Sequence, residues 1–353
     1  MLTPPSLKLG SKPLSLPTKH LFISLQRSNH EDKVSEEKRD PNPLRVIKGN
    51  SLPENPEKGK VQGRFPSWLH RKLPRGEELF NTNAILKENQ LNTVCEEAKC
   101  PNRLECYSNK TATFLALGKA CTRACGFCDI DFDKNPKLPE KDEPDRIAKS
   151  VKALGLRHVV ITMVARDDLA DQGATHIAEI IQAVRKEKPG TTLEVLTSDF
   201  SGDEKPLDIV LEAKPEIFNH NIETVKRLSP RVRHKATYER TLHVLKYVYD
   251  SKKVPFVKSG IMVGLGETDE EVKETIQDLK NAGCQIITIG QYLQPNKKKL
   301  LVKSFVTPEQ FKEYERYGLS IGIKYMYSGP FVRSSYNASL LKDHAFKGET
   351  FHG

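Results

Sequence analysis

Three cysteines within eight residues are the first indication of chemistry in this chain of 353 residues. They are Cys121, Cys125 and Cys128, at the spacing C-x3-C-x2-C. Closely spaced thiolates of this kind suit a [4Fe–4S] cluster that the protein holds at three of its four irons. The fourth iron is then open to a small molecule, as the free position of a catalytic metal site is. The motif therefore predicts an iron–sulfur site at which a bound ligand reacts.

A second triplet, Cys95, Cys100 and Cys106, lies upstream, so the two triplets use six of the seven cysteines. Disulfide scaffolds are typically small, secreted and rich in cysteine, which this long chain is not. Structural zinc commonly uses paired C-x2-C ligands, and neither triplet has that pairing. Iron–sulfur ligation is therefore favoured over disulfides and zinc, and reduced thiols indicate a reducing compartment.

The C-x3-C-x2-C motif, with Phe127 before its last cysteine, resembles that of the radical S-adenosylmethionine (SAM) superfamily. The upstream triplet and the late segment Arg333-Ser-Ser-Tyr336 narrow the resemblance to the lipoyl synthase family. This resemblance runs from about Phe65 to about Tyr336. It implies two [4Fe–4S] clusters and SAM as cofactors.

Roles for the cluster ligands follow from this resemblance. It implies that Cys121, Cys125 and Cys128 hold the cluster that binds SAM, whose one-electron cleavage gives a 5′-deoxyadenosyl radical. It assigns an auxiliary cluster, which donates sulfur, to Cys95, Cys100, Cys106 and Ser335. Local sequence alone would make Ser335 a turn hydroxyl.

Alternating strands and helices must position these residues. Six β/α repeats predict a parallel sheet with right-handed crossovers. Six repeats rather than eight favour an α/β fold in the form of an open, partial TIM-like barrel, and the resemblance implies the same (βα)6 fold. The predicted strands are Thr111–Leu117, His158–Met163, Thr191–Thr197, Glu216–Asn221, Phe256–Val263 and Gln285–Ile289. The predicted helices are Gly76–Lys87, Pro144–Leu154, Gly173–Lys188, Lys205–Ala213, Tyr238–Tyr249, Thr268–Ala282 and Thr307–Tyr317.

Polar residues and glycines follow several of these strands, where sites of such folds gather. Carboxylates suit ribose hydroxyls, and glycines at strand ends allow close approach of a ligand. Charged runs such as Arg166-Asp167-Asp168 are usually solvated turns, so their functional role depends on this location and on the family pattern. By resemblance, SAM contacts are predicted for Phe127, Asn221, Glu223, Lys258, Gly260, Met262, Gly264, Glu267 and Tyr292. Substrate contacts are predicted for Arg166, Asp168, Arg231 and Arg333.

Composition divides the chain into four parts. Residues 1–60 contain eight prolines and no apolar periodicity, which predicts a disordered or loosely attached tail. Residues 61–110 form the auxiliary-cluster segment, 111–320 the barrel and 321–353 a C-terminal segment. Residues 1–30 resemble an organellar transit peptide in composition, which would place the protein in an organelle matrix. Their prolines argue against a targeting helix. We favour a non-specific tail, or a translation start placed too early, and the bacterial cytoplasm.

The chain carries a formal net charge of +10, with charged residues at 29%. Its basic residues are scattered among acidic ones, so we predict no nucleic-acid partner. No apolar run reaches membrane-spanning length, so we predict no membrane association. A basic surface also suits an acidic protein partner. The resemblance implies octanoylated lipoyl domains of 2-oxoacid dehydrogenase complexes, the glycine cleavage H protein, and a reduced ferredoxin or flavodoxin-type electron donor.

The reaction that the resemblance implies is the insertion of two sulfur atoms, at carbons 6 and 8 of an octanoyl chain on a carrier lysine. Unactivated methylene groups need radical chemistry, which SAM and iron–sulfur clusters supply. A methylthiotransferase-like enzyme is one alternative, although the RNA-binding domain typical of that group is not visible. An electron-transfer iron–sulfur protein is another, although it would not need six β/α units with polar strand ends.

Overall fold

The computed structural model describes residues 65–70, 78–109 and 112–335. The predicted tail over residues 1–60 lies outside these ranges, as does Tyr336 of the late motif. All statements below concern the described residues.

Helices and strands alternate along most of the chain. In chain order the helices are α1 Glu78–Glu88, α2 Val94–Glu97, α3 Arg103–Ser108, α4 Glu143–Ala153, α5 Ala174–Glu187, α6 Glu204–Glu212, α7 Ser229–Val232, α8 Tyr238–Ser251, α9 Asp269–Asn281 and α10 Pro308–Ser320. The strands are β1 Thr113–Ala116, β2 Ala120–Cys121, β3 Asp131–Phe132, β4 His158–Met163, β5 Thr192–Leu196, β6 Ile217–Asn219, β7 Phe256–Val263, β8 Ile286–Gln291 and β9 Tyr325–Gly329. Single 3-10 turns lie at Ser67–Leu69, Phe200–Gly202 and Lys226–Leu228.

The main sheet has seven parallel strands in the order β1-β4-β5-β6-β7-β8-β9. Strands β1 and β9 are its two edges, so the barrel is open, as the sequence predicted. The prediction of six strands was one short, because β9 follows α10 and pairs with β8. Strands β2 and β3 form a separate parallel pair beside the cysteine loop.

The two faces of the sheet have different partners. Residues such as Ile161, Val195 and Ile289 belong to the main core, which also contains the buried faces of the long helices. Alternate residues point to the other face, because side chains alternate along a strand. At one end of that face, Ile217, Phe256, Ile286 and Tyr325 form a small apolar cluster. Further along the strands, toward their carboxyl ends, this second face carries polar residues and glycines, such as Gly260, Thr288 and Gly290.

Capping residues set the starts of the helices. The Thr268 hydroxyl accepts from the backbone N–H of Glu271, and the Glu271 side chain bonds back to form a capping box. The Thr307 hydroxyl likewise accepts from the N–H of Gln310, with Pro308 at the first position of α10. Thr307, where the sequence predicted that this helix begins, is therefore its N-cap.

Candidate active site

A cavity of about 460 Å³ opens at the carboxyl ends of the strands. This volume lies within the range of about 300–1,000 Å³ typical of ligand sites. Strand β7 contributes Gly260 and Met262 to its wall, and β8 contributes Thr288 and Gly290. The cavity therefore lies where the sequence predicted a site.

The loop with the C-x3-C-x2-C motif forms one wall. Cys121, Cys125 and Cys128 are free thiols, half-buried, and all three line the cavity. Burial raises the pKa of Cys125 to about 11 and that of Cys128 to about 12. A Cβ on Gly126 would lie only 3.0 Å from Leu300 Cδ1, so the close packing of this loop favours glycine.

Arg123, inside the motif, was missed by the sequence reasoning. It is buried, and its guanidinium lies 2.6 Å from both the Asp167 and Asp199 carboxylates. Burial alone would raise the pKa of both carboxyls, but Arg123 outweighs it and holds them below their usual range. Arg123 therefore fixes the cysteine loop to the ends of β4 and β5. The sequence offered one indication of this role, which is that Arg123 lies between two predicted cluster ligands, Cys121 and Cys125.

The upstream cysteines lie in and between two short helices. Cys95 is buried in α2, and burial raises the pKa of its thiol to about 12. Cys106 is half-buried in α3, whereas Cys100 lies between the helices and lines the cavity. The Cys100 N–H donates to the Cys95 carbonyl at 3.1 Å, and the Thr93 hydroxyl caps α2. Of this triplet, Cys100 is therefore brought to the same cavity as the downstream thiols.

Two contacts join the upstream segment to the rest of the cavity wall. The Lys99 ammonium lies 2.7 Å from the Asp129 carboxylate, so the residue before Cys100 pairs with the residue after Cys128. The Asn102 amide donates to the Phe331 carbonyl at 2.7 Å. Both cysteine segments and the C-terminal segment thus meet at one cavity.

The segment Arg333–Ser335 lines the cavity and is held by the inner face of the sheet. The Lys258 ammonium donates to the Ser334 carbonyl at 2.5 Å, and the Asn221 amide donates to the Ser334 hydroxyl at 2.7 Å. A Cβ on Gly290 would fall 2.0 Å from the Val332 carbonyl, so only glycine permits this approach. Ser335 is positioned through its neighbour Ser334.

Lys258 forms a fully buried ion pair with Glu194, at 2.9 Å. Burial alone would raise the pKa of Glu194, but the charge of Lys258 outweighs this and holds that pKa below its usual value. The Asn219 amide also donates to Glu194, at 2.9 Å. Lys258 was predicted to contact SAM, but it is not among the residues that line the cavity. Its ammonium instead connects Glu194 in the sheet to the Ser334 carbonyl.

We expect Lys258→Met to lower the free energy of unfolding by about 3–5 kcal/mol, because Glu194 is then buried without its cation. Glu194→Gln/Lys258→Met should recover much of that loss, since the substituted amide is neutral and its oxygen can still accept from Asn219. Denaturant titration of the cluster-free protein measures both variants. If Lys258→Met were as stable as the wild type, the Lys258–Glu194 ion pair would not contribute to the stability of the fold.

The other predicted SAM contacts divide into two groups. Gly264 and Glu267 do not line the cavity; the Glu267 carboxylate accepts from the backbone N–H groups of Gly264 and Leu265 and so holds their loop. Those that line the cavity are Phe127, Asn221, Glu223, Gly260, Met262 and Tyr292.

Glu223 has an unusual backbone conformation at the cavity wall, with φ of 67°. Its N–H donates to the Gly260 carbonyl at 2.9 Å, and its carbonyl accepts from Met262 at 2.8 Å. Burial raises the pKa of its carboxyl despite the nearby Arg233. The loop after β6 is thus paired to β7, which fixes the Glu223 carboxyl beside the Asn221 amide, 3.1 Å away.

The predicted substrate residues are also divided. Arg333 lines the cavity, whereas Arg166, Asp168 and Arg231 are not among its lining residues. Arg166 is wholly buried and its guanidinium pairs with Asp168 at 2.7 Å. Arg231 is exposed on α7. Arg233, which was not predicted, is buried and lines the cavity.

The donors of the cavity fit an iron–sulfur cluster and a polar ligand. Across the described ranges, no three His, Cys, Asp or Glu side chains gather closely enough to hold a single metal ion. A cubic cluster does not need such a close group, because each cysteine thiolate binds a different iron and the cysteine sulfurs therefore stay apart from one another. The Thr197 hydroxyl at the cavity wall is buried and has no hydrogen-bond partner among the residues that the structure describes. Such an orphan suits a ligand that supplies the partner.

Comparison with known proteins points to one class. The model of the radical SAM superfamily matches residues 115–279. The model of the N-terminal domain of lipoyl synthase of the radical SAM family matches residues 23–100.

Three bacterial relatives carry the name lipoyl synthase. The protein of Protochlamydia amoebophila is 65% identical over 298 residues, covering 83% of this chain and 92% of the relative. That of Chlamydia felis is 53% identical over 289 residues, with coverage of 82% and 92%. That of Chlamydia trachomatis serovar D is 54% identical over 283 residues, with coverage of 80% and 90%.

The parallel sheet, the cavity at its carboxyl end and the cysteine motif in its wall define a radical SAM enzyme. With relatives of this identity and coverage, the chain belongs to the lipoyl synthase family. This family implies SAM and a [4Fe–4S] cluster as cofactors. Within the described ranges, no helix is long and apolar enough to cross a membrane.

Proposed function

We propose that this chain inserts two sulfur atoms, at carbons 6 and 8 of an octanoyl chain carried on a lysine, and so completes the lipoyl group. The observation that supports this most is the meeting of Cys100, Cys121, Cys125, Cys128 and Ser335 at one cavity. An enzyme that removes hydrogen from an octanoyl chain and then transfers sulfur to it needs the ligands of both clusters close to that octanoyl chain.

In this proposal Cys121, Cys125 and Cys128 hold one [4Fe–4S] cluster, and Cys95, Cys100, Cys106 and Ser335 hold a second. When bound, these clusters and SAM supply the hydrogen-abstracting radical chemistry and the sulfur, which a protein side chain cannot supply. In the balance of the reaction, two C–H bonds break and two C–S bonds form. The two hydrogen atoms would leave on two molecules of 5′-deoxyadenosine derived from two molecules of SAM, and the electron released as each sulfide becomes carbon-bound would reduce iron of the donor cluster.

The remaining residues bind, orient and exclude water. Asn221 and Glu223 offer an amide and a carboxyl to the polar part of SAM, with Gly260 leaving space beside them; a Cβ there would lie 2.9 Å from Asn221 Oδ1. Apolar side chains suit the octanoyl chain and keep water from a reactive radical. Those lining the cavity include Val94, Leu115, Ile130, Met163, Leu196, Leu293 and Val332.

The partners in this proposal are octanoylated lipoyl domains of 2-oxoacid dehydrogenase complexes and the glycine cleavage H protein. A reduced ferredoxin or flavodoxin-type protein supplies electrons. We place the enzyme in the bacterial cytoplasm, on the basis of its bacterial relatives. The residues considered for a transit peptide, 1–30, lie outside the described ranges.

Anaerobic reconstitution followed by an assay on an octanoyl-lysyl peptide tests the proposal. We expect about eight irons per chain, since two cubes hold four each. The peptide should gain two sulfur atoms when it is isolated as the dithiol, and 5′-deoxyadenosine should form. Formation of 5′-deoxyadenosine without sulfur in the peptide would point to a different radical SAM reaction, and absence of both would reject the proposal.

A further inference from the structure

A short segment after β8 has two chemically different faces. We call residues Lys297–Lys303 the lysine strap. Leu300 and Val302 point inward and pack in an apolar cluster with Phe127 and Tyr292. The opposite face is exposed and carries Lys297, Lys298 and Lys303, with Leu301 exposed at 62% of its surface.

Backbone contacts fix the strap in place. The Tyr292 hydroxyl donates to the Leu300 carbonyl at 2.8 Å, and the Leu300 N–H donates to the Gly126 carbonyl at 3.0 Å. The Lys303 N–H donates to the Gly264 carbonyl at 2.8 Å. The lysines are therefore presented by an anchored backbone, so their loss would not remove these contacts.

The strap begins directly after the wall of the cavity. Gln294 and Pro295, just before it, line the cavity. The Asn296 amide donates to one oxygen of the Asp129 carboxylate, and Lys99 pairs with the other oxygen. Lys99 and the residue just before the strap thus meet at the same carboxylate of the cavity wall.

The charge of this face is uncompensated. No Asp or Glu occurs between Cys284 and Pro308. Within the described parts of the chain, Lys297, Lys298 and Lys303 form no ion pair, whereas Lys253, just after α8, and Lys273, on α9, each pair with a carboxylate. Unpaired positive charges beside a cavity attract an acidic partner and speed its encounter.

We propose that the lysine strap is the docking surface for the folded carrier domain, and that it binds an acidic face around the octanoyl-lysine. This inference rests on the proposed function. The partner that must dock at the mouth is the one whose lysine arm enters the cavity, and Leu301 offers an apolar contact amid the charges.

The test compares two triple variants with the same change of net charge. Lys297→Glu/Lys298→Glu/Lys303→Glu alters the strap. Lys149→Glu/Lys205→Glu/Lys312→Glu alters exposed lysines on α4, α6 and α10 that form no ion pair with described residues. Each is assayed on an octanoylated carrier domain and on a short octanoyl-lysyl peptide, with dithionite as reductant so that no protein donor is needed.

We expect the strap variant to raise KM for the domain by about tenfold or more at low salt, with kcat and the peptide reaction unchanged. The control should leave KM for the domain within about twofold. Wild-type KM for the domain should rise with ionic strength, and that of the strap variant should respond much less.

Three results would overturn the inference while the wild type remains active. They are an unchanged KM in the strap variant, an equal rise in the control, and an equal loss on the peptide. If the strap variant is normal with dithionite and defective only when a reduced ferredoxin or flavodoxin replaces it in a parallel assay, the strap is the surface for the electron donor instead. Failure of the proposed function is distinct, because the wild type would then form no sulfur product from either substrate.

Discussion

Cys125→Ala abolishes 5′-deoxyadenosine formation in the reconstituted enzyme: this is the largest effect that we expect. Cys125 lies at the cavity wall between two fixed points of its loop, since the Thr122 N–H donates to the Ala165 carbonyl at 3.0 Å and the Gly126 N–H donates to the Val232 carbonyl at 2.9 Å. With one thiolate of three removed, an iron of the cube has no protein ligand, and the site that would bind SAM is lost.

Two measurements check this expectation. Chromatography with mass detection should find only background 5′-deoxyadenosine, and the iron content should fall by about four atoms, the content of one cube. Cys284→Ala is the matched control, because Cys284 is a free thiol buried in the core away from the cavity. Normal SAM cleavage by the Cys125 variant would mean that another set of ligands holds this cluster.

Cys100→Ala should separate SAM cleavage from sulfur insertion. SAM cleavage should continue, because the downstream triplet is intact, whereas no sulfur should enter the octanoyl chain. Cys100 is the upstream cysteine that lines the cavity, so its loss removes the proposed ligand nearest to the substrate.

The assay is a time course of 5′-deoxyadenosine and of the sulfur-containing product from the same samples. Cys284→Ala again serves as the control and should yield both. If Cys100→Ala still formed lipoyl product, the upstream triplet would not hold the sulfur donor. Loss of both products would indicate that the two cysteine segments depend on each other for assembly.

Local pattern was enough to place most of the sheet. The predicted bounds of β4 and β7 agree with the structure at both ends, because these strands are buried almost continuously and read as apolar runs. Strand β9 was missed because its second half, Tyr327–Gly329, is only half-buried and contains serine and glycine. Edge strands give a weaker apolar signal.

The site was harder to predict, since its contacts join distant parts of the chain. The cysteine spacing indicated the ligands, yet nothing local showed that Arg123 binds Asp199 or that Lys258 reaches Ser334. Arg166 was selected because it follows a strand, but its guanidinium turns back to Asp168 and the Leu117 carbonyl. The position of a residue after a strand predicts at which end of the sheet it lies. It does not predict the direction in which its side chain points.

The contact between Asn102 and Phe331 also constrains the order of events during synthesis. The two residues are 229 positions apart, so this contact with the wall that contains Cys100 can form only after 229 further residues have been translated, whereas Lys99 can pair with Asp129 much earlier. At typical rates of about 5–20 residues per second, that delay is roughly 10–50 s. The side of this wall that the C-terminal segment supplies is therefore completed late, well after both cysteine segments have been synthesised and can meet.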